Sequence, residues 1–173
     1  MQVAALVLSI IALVVSLLTG TRQLLLARQA NSMRVLVDMF KEHRDEHLAM
    51  ARHFVFSELA DYDVEDGLAS LPEDKRQLVR DLSWYYDNIG ALVAHNVVDI
   101  EPVSGYLGGA LTEVWHKMRP LVDAERNKRA AAGFIDPNRP EAYFEILYER
   151  VQRCPPSTAR ERGRRRLARK PLP

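Results

Sequence analysis

The chain has 173 residues, 47% hydrophobic and 27% charged, with a formal net charge of +1 and a single cysteine. The length suits one domain with or without a non-globular segment. The lone Cys154 rules out a disulfide scaffold, and the apolar content rules out disorder along the full length. The small net charge conceals a split: residues 153–173 carry eight basic side chains and one acidic, a net of +7, which leaves −6 on residues 1–152.

No side chain from Met1 to Thr21 carries a charge, and the run from Val3 to Leu18 is apolar apart from Ser9 and Ser16. At about 1.5 Å of rise per residue, roughly 20 helical residues cross a hydrocarbon core of about 30 Å. Residues 2–21 are therefore expected to form a transmembrane helix. A cleaved signal peptide fits less well. The start lacks a basic region, Leu17-Leu18-Thr19-Gly20 is a poor cleavage site, and helical patterning continues beyond it. Arg22, Arg28 and Arg34 follow the span and no Lys or Arg precedes it. The positive-inside rule then places the N-terminus outside the plasma membrane and the C-terminal part in the cytoplasm. Ala5, Ser9, Ala12, Ser16 and Thr19 form a stripe of small residues along the span, which Gln23 extends by a turn. Such a stripe lets two helices approach closely in lipid, so self-association into a homo-oligomer is expected through it.

Helical patterning continues through residues 22–57, with Val35, Leu36, Met39, Phe40, Leu48, Ala51, Phe54 and Val55 on a 3.6-residue period. No proline interrupts this long juxtamembrane helix, and Gly20 is the one flexible point expected near the membrane. An acidic loop over 58–70 leads to Ser70-Leu71-Pro72-Glu73, a capping-box signature for a helix running to Ala94. Its predicted inner face is Leu78, Leu82, Tyr85, Tyr86, Ile89, Leu92 and Val93. Asn96 is the predicted stop, and Asp99 the N-cap of a short helix over 100–107. Gly108-Gly109 is expected to break the chain before a helix over 110–131, kinked at Pro120. After the turn Asp136-Pro137-Asn138-Arg139-Pro140, a last helix over 140–153 points Tyr143, Phe144, Leu147 and Val151 inward. No segment alternates with period two. The expected fold is all-α: a transmembrane helix continuing into a cytosolic bundle of about four to five helices, with a helical domain over 58–153 and a disordered basic tail over 154–173.

Few motifs carry chemistry. His43-Arg44-Asp45-Glu46-His47 spells the inverted zincin pattern, in which two histidines on one helix hold zinc and the glutamate acts as base. No distant third ligand is evident, so His43, Glu46 and His47 are weak metal candidates, and a solvated helix face explains them as well. The acidic loop begins like an EF-hand, but Gly67 falls one position late and Pro72 stands where a bidentate glutamate is needed. His95 and His116 read as structural. Cys154 lacks a nucleophile's neighbours, which leaves acylation or a free thiol open, and no phosphate-binding glycine loop is present. No cofactor is expected. In the tail, Arg164, Arg165, Arg166, Arg169 and Lys170 suit anionic lipid, with nucleic acid a less favoured target.

The run over 84–99 starts with Trp84-Tyr85-Tyr86-Asp87-Asn88-Ile89-Gly90 and ends with His95-Asn96-Val97-Val98-Asp99. With Trp115, Arg119-Pro120 and Tyr143-Phe144, it resembles a bacterial family of membrane-anchored helical proteins of unknown function, frequent in actinobacteria. The resemblance covers residues 30–152 and implies an all-α cytosolic domain with no assigned activity; where many members have glycine, this chain has Asn96. The residues also have an architectural reading. Gly90 would let a helix pass close, Asp99 would cap, Trp115 would anchor the core, and Arg119, before the Pro120 kink, would pair with Asp87. The chain is thus expected to be a non-catalytic, membrane-tethered module that binds an unknown protein partner or itself. The alternatives are a membrane-bound zinc hydrolase on His43, Glu46 and His47, or an anionic-lipid binder acting through the tail.

Overall fold

The computed structural model describes residues 2–168, apart from the side chains of residues 2–9, 11, 25, 28 and 29. Among them the fold is all-α, with six α-helices and two short 3₁₀ turns: α1 (Gln2–His43), α2 (Glu46–Ser57), α3 (Glu73–Ala94), α4 (Ile100–Ala131), α5 (Ala142–Arg153) and α6 (Pro156–Ala168). The chain divides into two compact units, Met1–Asp38 and Met39–Pro173.

The first unit consists of α1 without its last turn. The helix passes through Gly20 unbroken. Ile10, Leu13, Val14, Val15, Leu17 and Leu18 are each 50% to 70% exposed. Among the described residues no helix is long and apolar enough to cross a membrane. Ala5 and Ser9 of the small-residue stripe, and most of the first half of the expected span, have side chains outside the described set; Ala12 and Ser16 are exposed.

The second unit holds the core. α3 packs chiefly on α5 and α2, and α4 packs on α5, α2 and α6. An aromatic column runs through the centre: Tyr85 to Tyr86 (ring centroids 5.1 Å apart), Tyr86 to Phe144 (4.8 Å), Phe144 to Trp115 (4.9 Å) and Trp115 to Tyr148 (5.8 Å). Trp115, Tyr86 and Phe144 are among its largest fully buried side chains, and each such burial stabilises the fold by about 1.5–3 kcal/mol. α3 buries Val79, Leu82, Tyr85, Tyr86, Ile89 and Val93, as a 3.6-residue period requires; Leu78 and Leu92 sit at the margin.

Several boundaries differ from the sequence expectation. The juxtamembrane helix is not continuous over 22–57. It breaks at Arg44-Asp45, where the Asp45 side chain accepts from the His47 N–H (2.9 Å) and starts α2. The Ser70 capping box does not form, because the Ser70 hydroxyl donates to the Gly67 carbonyl and Pro72 occupies the N-cap of α3. Asp99 stands at the N-cap of α4 but makes no side-chain cap bond. Gly108-Gly109 breaks nothing, since α4 runs on from Ile100 through Pro120 to Ala131. Asn96 ends the α3 region in the left-handed conformation (φ 55°), which asparagine tolerates better than most residues. The segment expected to be disordered forms helix α6 over Pro156–Ala168; Arg169 and Lys170 lie outside the described residues. Proline is pre-organised for the first helical position, and Ala, Arg and Glu propagate a helix well.

The backbones of α3 and α5 approach closely at Gly90. A Cβ there would collide with the Tyr143 backbone carbonyl, which cannot rotate aside. Gly90→Ala is therefore expected to lower stability by about 2 kcal/mol or more, although alanine favours a helix by about 1 kcal/mol. Urea unfolding followed by circular dichroism measures this, and a wild-type midpoint would show that the helices do not meet there.

Candidate functional site

The break after α1 shapes the most unusual cluster of polar and aromatic groups. Arg44 and Asp45 turn the chain, so His43 ends one helix while Glu46 and His47 open the next. The His43 ring lies on Tyr85 (5.9 Å between centroids) and edge-on to Tyr86 (6.4 Å) and Tyr106 (6.3 Å). Phe40, one turn earlier, meets Tyr106 at 4.4 Å. The Arg52 guanidinium donates to His43 Nδ1 at 3.3 Å. The Tyr85 hydroxyl donates to the Met39 carbonyl at 2.9 Å and so ties the end of α1 to α3. The Tyr86 hydroxyl is buried and has no hydrogen-bond partner among the described residues.

Charge follows from this packing. Burial, reinforced by the Arg52 cation, lowers the His43 pKa to about 4. Burial pushes the Tyr85 and Tyr86 hydroxyls well above their ordinary value. At neutral pH the ring is therefore a neutral acceptor, the tyrosines keep their protons, and Arg52 carries the charge. Neither His43 nor the two tyrosines is poised to exchange a proton near neutrality, and the cluster acts as a lock between α1, α2, α3 and α4.

The zinc pattern comes apart at the same break. His47 Nε2 bonds to Asp81 of α3 at 2.8 Å, whereas His43 bonds to Arg52. Among the described residues no three His, Cys, Asp or Glu side chains gather to hold a metal. The inverted zincin motif needs both histidines on one uninterrupted helix face, and the Asp45 cap removes that face. The EF-hand-like loop is held by protein instead: the Leu68 N–H donates to Glu125 (2.7 Å) and Lys128 donates to the Asp66 carbonyl (2.8 Å).

A second polar cluster surrounds the start of α5. Glu141, at its N-cap, adopts φ 52° and offers no side-chain cap. Asp87 of α3 supplies the cap instead, its Oδ1 accepting from the Tyr143 N–H (2.9 Å) and the Phe144 N–H (3.0 Å). Arg126 of α4 donates to the Pro140 carbonyl through Nε (3.1 Å) and Nη2 (2.9 Å) and to Glu145 through Nη1 (2.7 Å), with only 12% of its side chain exposed. Burial raises the Glu141 pKa, and Asp87 raises it further; Arg126 and a hydrogen bond with Ser83 oppose the rise.

This corrects the expected pairing of Arg119 with Asp87. Arg119 lies 3.6 Å from Asp123, one turn along α4, while Asp87 faces the α5 backbone. Trp115 lies in the core, Pro120 lies within α4, and Gly90 lies under the Tyr143 carbonyl. His95 bonds the Tyr143 hydroxyl (3.1 Å) and His116 the Tyr148 hydroxyl (3.0 Å). Cys154 is buried, and its backbone carbonyl accepts from the Ser104 hydroxyl. Arg164 and Arg165 are exposed on α6, whereas Arg166 pairs with Glu101 at 2.9 Å. Sequence reasoning overlooked Arg52 and Arg126 and gave Asp87 a different partner from the α5 backbone that it caps. One signal was available for Asp87: α5 begins Pro140-Glu141-Ala142 with no Ser, Thr, Asn or Asp to cap it, so an acceptor had to come from elsewhere.

Two measurements test these assignments. Asp87→Ala leaves two backbone N–H groups of α5 without an acceptor and is expected to cost about 1–3 kcal/mol in urea unfolding, with Asp87→Asn costing less. For His43, the unfolded chain binds a proton near pH 6.5 and the folded chain only near 4. Its stabilising contribution is thus complete above about pH 6.5 and is lost as the pH falls toward 4. The drop in melting temperature between pH 7 and pH 5 is expected to shrink in His43→Gln. An equal drop in both proteins would remove His43 from the account.

No curated protein and no solved structure matches the chain. A family model described as a domain of unknown function (DUF4760) matches residues 2–150, which takes in α1 to α4 and most of α5. The chain belongs to that family of unknown function.

Proposed function

We propose that the chain is a non-catalytic interaction module, tethered to the plasma membrane by the first half of α1, with its N-terminus outside and the remaining residues in the cytoplasm. The carrying observation is the state of that helix. Ile10, Leu13, Val14, Val15, Leu17 and Leu18 expose at least half of their apolar side chains over most of the circumference, with Ala12 and Ser16 between them. Water disfavours such a helix and a bilayer favours it. Two hydroxyls along it bond back to the helix, Thr19 donating to the Val15 carbonyl (2.8 Å) and Thr21 to that of Leu18 (2.9 Å). Orientation rests on Arg22, Arg28 and Arg34, which follow the run.

The interaction half of the reading draws on Trp84. Its indole is 58% exposed on the outer face of α3, where no core demands it. Exposed tryptophans are frequent anchors of protein interfaces. A non-catalytic role is supported by the use of polar groups within the fold: His43, His47, His95 and His116 each bond an internal partner. Self-association is a second route to the same role, through the small-residue stripe that includes Ala12 and Ser16.

Fractionation of cells expressing the full chain tests the tether. Wild type is expected to stay in the pellet after an alkaline carbonate wash. Leu13→Arg with Leu17→Arg is expected to release it, at a cost of about 2.5–3.5 kcal/mol for each arginine near the bilayer centre. Wild-type protein in the supernatant would refute the anchor.

A further inference from the structure

We infer that α6 is a docked basic helix whose outer stripe, Arg160, Arg164 and Leu167, contacts the surface of an anionic lipid bilayer. The helix lies beyond the residues matched by the family model and packs on α4. One face is committed to the fold. Ala159 rests against Gly105, where an added Cβ would meet its methyl at 3.7 Å, and Pro156 fills the space over Gly108 (2.8 Å). Arg162 (3.1 Å) and Arg166 (2.9 Å) share the Glu101 carboxylate in the first turn of α4. Residues 159, 162 and 166 are spaced by three and four, so they occupy one side of α6.

Residues 160, 164 and 167 have the same spacing on another side. Arg160 and Arg164 are exposed and lack an ion pair among the described residues, and Leu167 is 76% exposed. Arg165, also exposed, is paired within the helix to Glu161 (2.6 Å). Two unneutralised guanidiniums in line with an exposed leucine match the interface of an acidic bilayer, where cations meet headgroups and the apolar side chain enters the acyl boundary. Nucleic acid would use the arginines but leave Leu167 without a partner, and α6 has no aromatic ring on which a base could stack. Docking on α4 holds the stripe as a preformed helix, so a surface that binds it bears little ordering cost. This inference does not depend on the tether of α1.

The test keeps the two apart. The full chain is incorporated into nanodiscs of neutral phosphatidylcholine. These are mixed with separate vesicles of phosphatidylcholine, alone or with one-third phosphatidylglycerol, and floated. Wild type is expected to float with the anionic vesicles about tenfold more than with the neutral ones, and raised salt is expected to abolish the difference. R160Q/R164Q is expected to bind about tenfold less or weaker still, R160K/R164K to bind like wild type, and L167Q to lose several-fold. These positions are exposed, and unchanged circular dichroism checks that the variants fold. Equal flotation of wild type and R160Q/R164Q would overturn the inference, as would binding to polyuridylate with none to anionic vesicles. Should the chain fail to enter nanodiscs, the tether reading fails by itself, and the same flotation of the chain alone still decides the role of α6.

Discussion

The bundle depends on the crossing of α3 and α5. At Gly90 the two backbones come so close that no side chain fits between them. This proximity lets Asp87, one turn earlier, reach the N–H groups of Tyr143 and Phe144 and act as the cap that α5 lacks. It also sets Phe144 against Tyr86 and Trp115, so the aromatic column forms only if the crossing does. A backbone contact, a hydrogen-bonded carboxylate and a hydrophobic core thus share one geometric condition. Loosening any of them exposes the others to water.

The second constraint is the end of α1. Met39, Phe40 and His43 are held by Tyr85 and Tyr106, while Arg52 completes the contact from α2. Because burial keeps His43 neutral, the lock uses a charged donor and a neutral acceptor, which avoids burying a second charge. The end of α1 is therefore tied to α2, α3 and α4 by several side chains, and not by chain connectivity alone.

α6 shows how a segment of tail-like composition can still dock. Its stretch has little apolar bulk, which is why disorder was expected. The contact is made of small residues laid over glycines, together with two arginines on one carboxylate, and neither signal stands out in composition. Glu101 and Arg166 lie 65 residues apart, so their pairing is a product of the antiparallel return of the chain.

Local periodicity by itself determined the helical class, most helix positions, the inward faces of α3 and α5, the left-handed stop at Asn96 and the apolar character of the first twenty residues. All of these depend on neighbours within a turn or two, and such information is written in adjacent residues. Tertiary structure alone decided where the polar groups go. Asp87 turned to α5 and not to Arg119, Arg126 closed on Pro140 and Glu145, His43 parted from His47, and α4 stayed whole across Gly108-Gly109 with Pro156 packed over the first glycine. A side chain bonds whichever partner the packing brings within about 3 Å, and partners more than a few turns away in sequence leave no local pattern that would reveal them.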